Sequence, residues 1–186
     1  MEALREKIKN VQDGSRYEHT LAVAYTAACL ASVHGADIVK ALRAGLLHDC
    51  AKCIQPVVQL AMCEQYNIAV SDVERRSPFL LHAKLGARLA EDIYEEQDAD
   101  VLNAVRNHTT GRPGMSVLEK IIFIADYIEP GRDKAPCLSE IRKMAFTDLD
   151  AALIKILQDT LLYLQNSGGD IDPATEETLN YYIQKI

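Results

Sequence analysis

The spacing of apolar residues constrains this chain most: it is helical almost from end to end, and no run alternates as a strand would. Start signals recur along it. Ser15-Arg16-Tyr17-Glu18, Ser71-x-x-Glu74 and Ser116-x-x-Glu119 read as capping boxes, in which serine and glutamate each satisfy an orphan amide. Ser77-Pro78 and Asp172-Pro173 read as an N-cap followed by a first-turn proline. Stop signals fit too: a glycine cap at His34-Gly35 and a break at Glu129-Pro130-Gly131. The pattern predicts helices near 2–12, 15–34, 37–50, 55–66, 78–96, 98–108, 116–129, 138–145, 148–166 and 173–185.

These signals define an all-α fold of about ten helices. No Pro/Gly/Ser-rich linker, internal repeat or low-complexity stretch divides it, so the 186 residues are expected to form one domain around one core. Loops 109–114 and 166–170 are the most flexible in composition. The charge, −7 at pH 7, argues against a general nucleic-acid binder, which needs a basic face to displace counterions from phosphates. A local basic pocket for a small polyphosphate remains compatible with it. The N-terminus is charged and lacks the apolar run of a signal peptide. The most apolar stretch, 21–33, is too short to span a bilayer. Five cysteines without framework spacing read as free thiols of a reducing cytoplasm.

The informative residues are polar groups where the helical pattern asks for core. An apolar helix from Leu42 runs into adjacent His48 and Asp49, and Asp126 interrupts Ile121-Ile122-Phe123-Ile124-Ala125 and Tyr127-Ile128. An ionised carboxylate in such a place is costly unless a cation or several donors compensate it. His19, His82 and His108 also lie on inner helical faces. Imidazole nitrogens with carboxylate oxygens are the donor set of a borderline divalent metal such as iron, manganese or zinc. A single histidine on an apolar face is more often a satisfied core residue; the joint pattern favours a metal site. His34, in a last helical turn, fits a dipole interaction instead. Lys52, one turn beyond Asp49, and Arg132, beyond the Pro-Gly break, could grip phosphate oxygens, and Thr109-Thr110-Gly111 could offer amides and hydroxyls to an anion. Cys50-Ala51-Lys52-Cys53 has neither the second pair of a zinc ribbon nor a βαβ context, so both thiols read as packing residues.

The order His19, His48-Asp49, Asp126 resembles the H…HD…D signature of HD-domain metal-dependent phosphohydrolases. The neighbouring text narrows the likeness: Arg16-Tyr17-x-His19-Thr20, His48-Asp49-x-Ala51-Lys52, Leu81-His82, Asn107-His108-Thr109-Thr110-Gly111-Arg112-Pro113, Leu118-Glu119-Lys120-Ile121-Ile122 and Ala125-Asp126-Tyr127-Ile128-Glu129-Pro130. Together these look like the bacterial YqeK-type symmetrical bis(5′-nucleosyl)-tetraphosphatases over residues 15–175. After Arg132 the chain departs from the family's aromatic-Pro-Gly-Val stretch and reads Asp133-Lys134-Ala135-Pro136-Cys137-Leu138.

The resemblance implies a single HD domain over 1–186, with core motifs in 15–135 and helices 138–186 packing on it. It implies symmetrical hydrolysis of diadenosine tetraphosphate to two ADP, in the cytoplasm, at one or two divalent ions, iron preferred and manganese or another ion as alternatives. Carried over by position, His19, His48, Asp49 and Asp126 would ligate the metal. His82 and His108 would complete a second metal position or contact phosphate. Asp49, Lys52, His82 and His108 would carry catalysis. Lys52, Thr109 and Arg132 would line the phosphates, together with the metal-site side chains, and Asp170, Ile171, Asp172 and Pro173 would border the nucleotide. Family analogy points to a homodimer, with no nucleic-acid or membrane partner. The competing readings are another nucleotide substrate on the same site (a deoxynucleotide, a cyclic nucleotide or a guanosine polyphosphate), a non-catalytic binding module, and a diiron oxygenase.

Overall fold

The computed structural model describes residues 1–185. Among the described residues there are helices and no strand: α1 (Glu2–Lys9), α2 (Gly14–His34), α3 (Ile38–Leu47), α4 (Pro56–Gln65), α5 (Asp72–Arg76), a 3-10 turn (Pro78–Leu80), α6 (Leu81–Asp92), α7 (Ala99–Asn107), α8 (Val117–Ile128), α9 (Leu138–Ala145), α10 (Leu149–Ser167) and α11 (Pro173–Ile183). The capping boxes at Ser71 and Ser116 are both formed. Asp172 caps α11 ahead of Pro173. Gly35 ends α2 in the left-handed conformation, at φ 69°.

Several boundaries differ from expectation. The Ser15–Glu18 box does not form, because Asp13 caps α2, its carboxylate accepting from the Arg16 amide at 2.9 Å. An ionised acceptor at a helix N-terminus gains from the dipole as well as from the hydrogen bond, and so takes the cap from serine. The first helix stops at Lys9 and the third at Leu47. Residues 48–54 continue as tight turns, with Lys52 N donating to Asp49 O at 3.0 Å. The expected helix 78–96 is a 3-10 turn followed by α6. Ser77 makes no cap; its hydroxyl donates to Asp170 instead, at 2.8 Å. The cap at Ser71 opens a short helix, α5, whose five residues are too few to show a period.

Packing centres on α8. It is apolar nearly all round, as a fully enclosed helix must be, and Ile121, Ile122, Ile124 and Ala125 have no exposed surface. α2, α3, α7 and α10 lie against it, α6 backs α7, and α10 joins α8 to α9 and α11. One buried apolar cluster runs from Ile8 to Tyr182, so the C-terminal helices share the core of the motif-bearing ones. α2 and α3 meet backbone to backbone at Gly45, where an added Cβ would sit 2.5 Å from Ala24 Cα. The two tyrosine-bearing segments divide: Leu161 and Tyr182 are buried, while Leu162, Tyr163 and Ile183 are exposed. No helix among the described residues is long and apolar enough to cross a membrane.

Candidate metal centre and active site

His19 comes from α2, His48 and Asp49 from the end of α3, His82 from α6, His108 from the end of α7 and Asp126 from α8. The structure brings all six together. A common local rule orients three of the imidazoles. His48 Nδ1 lies 2.7 Å from Gly45 O, His82 Nδ1 2.5 Å from Phe79 O, and His108 Nδ1 2.7 Å from Val105 O, each three residues back along the chain. A carbonyl can only accept, so each Nδ1 carries a proton, and in the neutral ring each Nε2 presents a lone pair. His19 reaches the same state through a carboxylate, its Nδ1 lying 3.1 Å from Glu129 Oε1. Four Nε2 lone pairs therefore point inward, oriented by outer partners as metal-bound histidines usually are.

The carboxylates complete the cluster. Asp49 Oδ1 lies 3.2 Å from His82 Nε2 and 3.6 Å from His108 Nε2; its Oδ2 lies 3.5 Å from His48 Nε2 and 2.8 Å from Arg16 Nη1. Asp126 Oδ1 lies 3.1 Å from His19 Nε2. His82 and His108 bring their Nε2 atoms within 3.1 Å of each other. His48, Asp49, His82 and His108 are each no more than 3% exposed. Burial alone would raise the Asp49 pKa, but the facing His48, His108 and His82 imidazoles hold it well below the usual carboxylate range. Asp126 is likewise lowered: the His19 imidazole 3.1 Å away and the nearby His48 and His108 outweigh its burial. Burial opposes protonation of His48, yet the facing Asp49 and Asp126 charges raise it. Burial dominates at His82 and lowers it to about 4.

A divalent ion fits this donor set. The Nε2 atoms of His19 and His48 are buried without a hydrogen-bond partner, a costly arrangement that an ion repairs. Two lone pairs facing each other at 3.1 Å, as in His82 and His108, repel unless a cation draws on both. Ligand atoms about 2.1 Å from one ion at near-right to tetrahedral angles stand roughly 3.0–3.5 Å apart, close to most of the separations found here. Two groups bring one ligand atom from each residue within 4.8 Å of one another, His19 with His48 and Asp126, and His48 with Asp49 and His108. They share His48, and one ion or two adjacent ions suit them.

The cluster opens into a cavity of 580 Å³ whose walls include Arg16, His19, His108, Thr109, Asp126 and Arg132. Lys52 Nζ lies 3.3 Å from His82 Nε2, and its pKa is lowered, burial prevailing over the pull of Asp49 and Asp126. Arg132 donates to the Asp126 carboxylate at 2.7 Å and to its backbone carbonyl at 3.0 Å, and remains 44% exposed. Thr109 lies between this cavity and a recess of 180 Å³ bordered by Asp172. The Gly111 amide is not available to an anion, because it donates to Asn107 O at 2.9 Å. The Asp170 carboxylate is taken up by Arg76, at 3.0 Å, and by Ser77. Ile171 is half-buried and Pro173 exposed beside it. Cys50 is buried with its thiol donating to Gly86 O, whereas Cys53 is exposed and is not the packing residue expected. His34 does more than face a helix dipole: its Nε2 lies 2.7 Å from Ala145 O of α9.

Sequence reasoning assigned no role to two partners. Arg16 pairs with Asp49, and Glu129 orients His19 while accepting from the Gly131 amide. Both stand in the quoted motifs; the signal was a cation three residues before His19 and an acid three after Asp126. Arg142 clamps the same loop, donating to the carbonyls of Ile128, Glu129 and Arg132.

Four histidines and two aspartates gathered in this way form a candidate divalent-metal site, and the HD-domain family model matches residues 16–131. The chain belongs to the HD-domain family and, within it, to the group that includes the symmetrical bis(5′-nucleosyl)-tetraphosphatases. It is 40% identical to the enzyme of that name from Bacillus subtilis, over 90% of this chain and 89% of the relative. Its identity to the one from Halalkalibacterium halodurans is 42%, over 89% and 87%. A solved structure, an HD superfamily hydrolase of Clostridium acetobutylicum described as involved in NAD metabolism, superposes with a TM-score of 0.96 at 40% identity, covering 100% of this chain and 97% of that one.

Proposed function

We propose that this chain is a divalent-metal-dependent hydrolase that splits diadenosine tetraphosphate at its midpoint into two ADP. The carrying observation is the convergence of four Nε2 lone pairs and two ionised carboxylates beside cationic side chains, in a chain whose relatives bear that activity in their names. His19, His48, Asp49 and Asp126 would hold the ion, with Asp49 at the centre of the cluster. When bound, the ion supplies activation of water near neutral pH and neutralises charge on the phosphoryl oxygens.

The chain's own groups do the rest. With Nδ1–H committed to backbone carbonyls, neutral His82 and His108 cannot donate from Nε2 to a phosphate oxygen. In that form their Nε2 atoms would accept instead, holding a second ion or taking the proton of the attacking water. Lys52 and Arg132 hold the phosphates, Arg16 keeps Asp49 turned toward the site, and Thr109 leads to the first nucleoside, which the 170–173 segment borders. Phosphoryl transfer depends mostly on positioning and electrostatics, so this local positive charge matters more than the net charge of −7. Hydrolysis adds the water oxygen to one ADP and leaves the other as departing group. Iron as the preferred ion, a homodimer and a cytoplasmic setting carry over from the family resemblance; the nucleotide substrate and the free thiols agree with the last.

The test is product chromatography with diadenosine tetraphosphate. ADP alone is expected, and Asp49→Ala should abolish turnover with far-UV helicity unchanged. ATP with AMP as products, or activity retained in Asp49→Ala, would overturn the proposal.

A further inference from the structure

Midpoint cleavage requires two nucleoside arms to leave the metal centre, and the recess behind Thr109 is small, at 180 Å³. Away from Thr109, the metal-site cavity continues into a second pocket of 530 Å³, and the two share Tyr127, Lys134, Ala135 and Thr160 as walls. The volume lies within the ~300–1,000 Å³ common for small-ligand sites. Its lining is chemically divided. Tyr127 and Tyr163 contribute aromatic rings, Pro136 and Leu162 apolar contact, Lys134 a cation at the shared mouth, and Asn166 an amide. Tyr163 is 68% exposed. A further observation points to a polar ligand: Asp159, which lines the pocket, has a side chain only 9% exposed, and its Oδ2 is buried without a hydrogen-bond partner while Oδ1 takes Lys155 at 2.7 Å.

We propose that this pocket is the subsite for the second nucleoside: the base stacks on Tyr163 and Tyr127, a donor of the nucleoside (exocyclic amine or ribose hydroxyl) satisfies Asp159, and Lys134 meets the adjoining phosphate. The inference rests on the function proposed above. It also gives a role to the segment 133–138, where the chain departs from the family pattern: Lys134, Ala135 and Pro136 of that stretch form walls of this pocket. The reaction centre then lies between two nucleoside sites, which sets the cut at the middle phosphates and disfavours substrates with a single head.

The experiment compares Tyr163→Ala, Tyr163→Phe and Asp159→Asn on diadenosine tetraphosphate and on the one-headed analogue adenosine 5′-tetraphosphate. Loss of base stacking predicts a fall of about tenfold or more in kcat/KM for the two-headed substrate with Tyr163→Ala, expressed in KM, with near-normal values for Tyr163→Phe. Asp159→Asn should lower it severalfold. The one-headed analogue, which can place its nucleoside behind Thr109, should change by less than about twofold. Equal losses on both substrates, no loss on either, or a shift of oligomeric state on size exclusion that tracks the loss would each overturn the subsite. A wild-type enzyme unable to cleave diadenosine tetraphosphate would instead remove the underlying function, and the subsite with it.

Discussion

Gly45→Ala is the perturbation through which the fold and the metal centre can be tested together. The new Cβ would stand 2.5 Å from Ala24 Cα, 3.0 Å from its amide nitrogen and 3.1 Å from its Cβ, against an ordinary contact of 3.4 Å or more. Relief requires α2 and α3 to separate by about 0.9 Å, because the obstructing atoms are backbone and have no rotamer to change. Overpacking of this kind costs about 3 kcal/mol, and the gain in helix propensity from glycine to alanine returns about 1. A net loss of about 2 kcal/mol lowers the melting temperature by roughly 4–8 °C for a chain of this length. The movement also carries His19 on α2 away from His48, whose Nδ1 is bonded to the Gly45 carbonyl itself, so metal uptake should weaken in parallel. Gly86→Ala is the matched control: its Cβ would meet Cys50 Sγ at 3.5 Å and Val105 Cγ1 at 3.6 Å, both ordinary contacts. That variant should melt at or above the wild-type temperature. Differential scanning calorimetry of both decides the matter; a Gly45→Ala protein as stable as wild type would refute the close-approach reasoning.

Three further predictions address the site. Glu129→Gln should reduce metal affinity or turnover by about 10- to 100-fold while leaving the fold intact, since the carboxylate acts by orienting His19; an unchanged metal titration would contradict that role. Metal uptake should release protons near neutral pH. His48 is raised above its ordinary value in the metal-free protein, its protonated form is favoured below that value and lost above it, and only the neutral ring can ligate; affinity should therefore fall as pH drops from 8 to 6, measured by calorimetry in buffers of different ionisation enthalpy. Native thiol labelling at pH 8 should modify Cys29, Cys53 and Cys137 quickly and spare Cys50, whose thiol burial pushes up to about 12, and Cys63, raised by the same cause; five fast thiols would show that the buried pair is accessible.

Helical period, caps and breaks were legible because they are local: a residue and its neighbours three or four positions away decide them. The same locality explains the failures. Asp13 took the cap from Ser15 because of charge rather than pattern, and α5 is too short to carry a period. The six inward polar residues could be read from the cost of burying charge in apolar helices. Their partners could not: Arg16 reaches Asp49 across 33 residues and Glu129 reaches His19 across 110. The tautomers follow from backbone carbonyls, which every residue possesses and no sequence marks. Asp170 shows the converse, a candidate nucleotide contact whose carboxylate is claimed by Arg76 and Ser77 from another element.

The proposed activity depends on the histidine–aspartate cluster holding a cation that the reaction needs. Metal analysis of the purified protein, followed by chelation and stepwise return of divalent ions with diadenosine tetraphosphate as substrate, examines this most directly. One or two ions per chain are expected, with turnover lost on their removal and regained on their return, and ADP as the product throughout. Full activity in protein shown to be free of metal would contradict it.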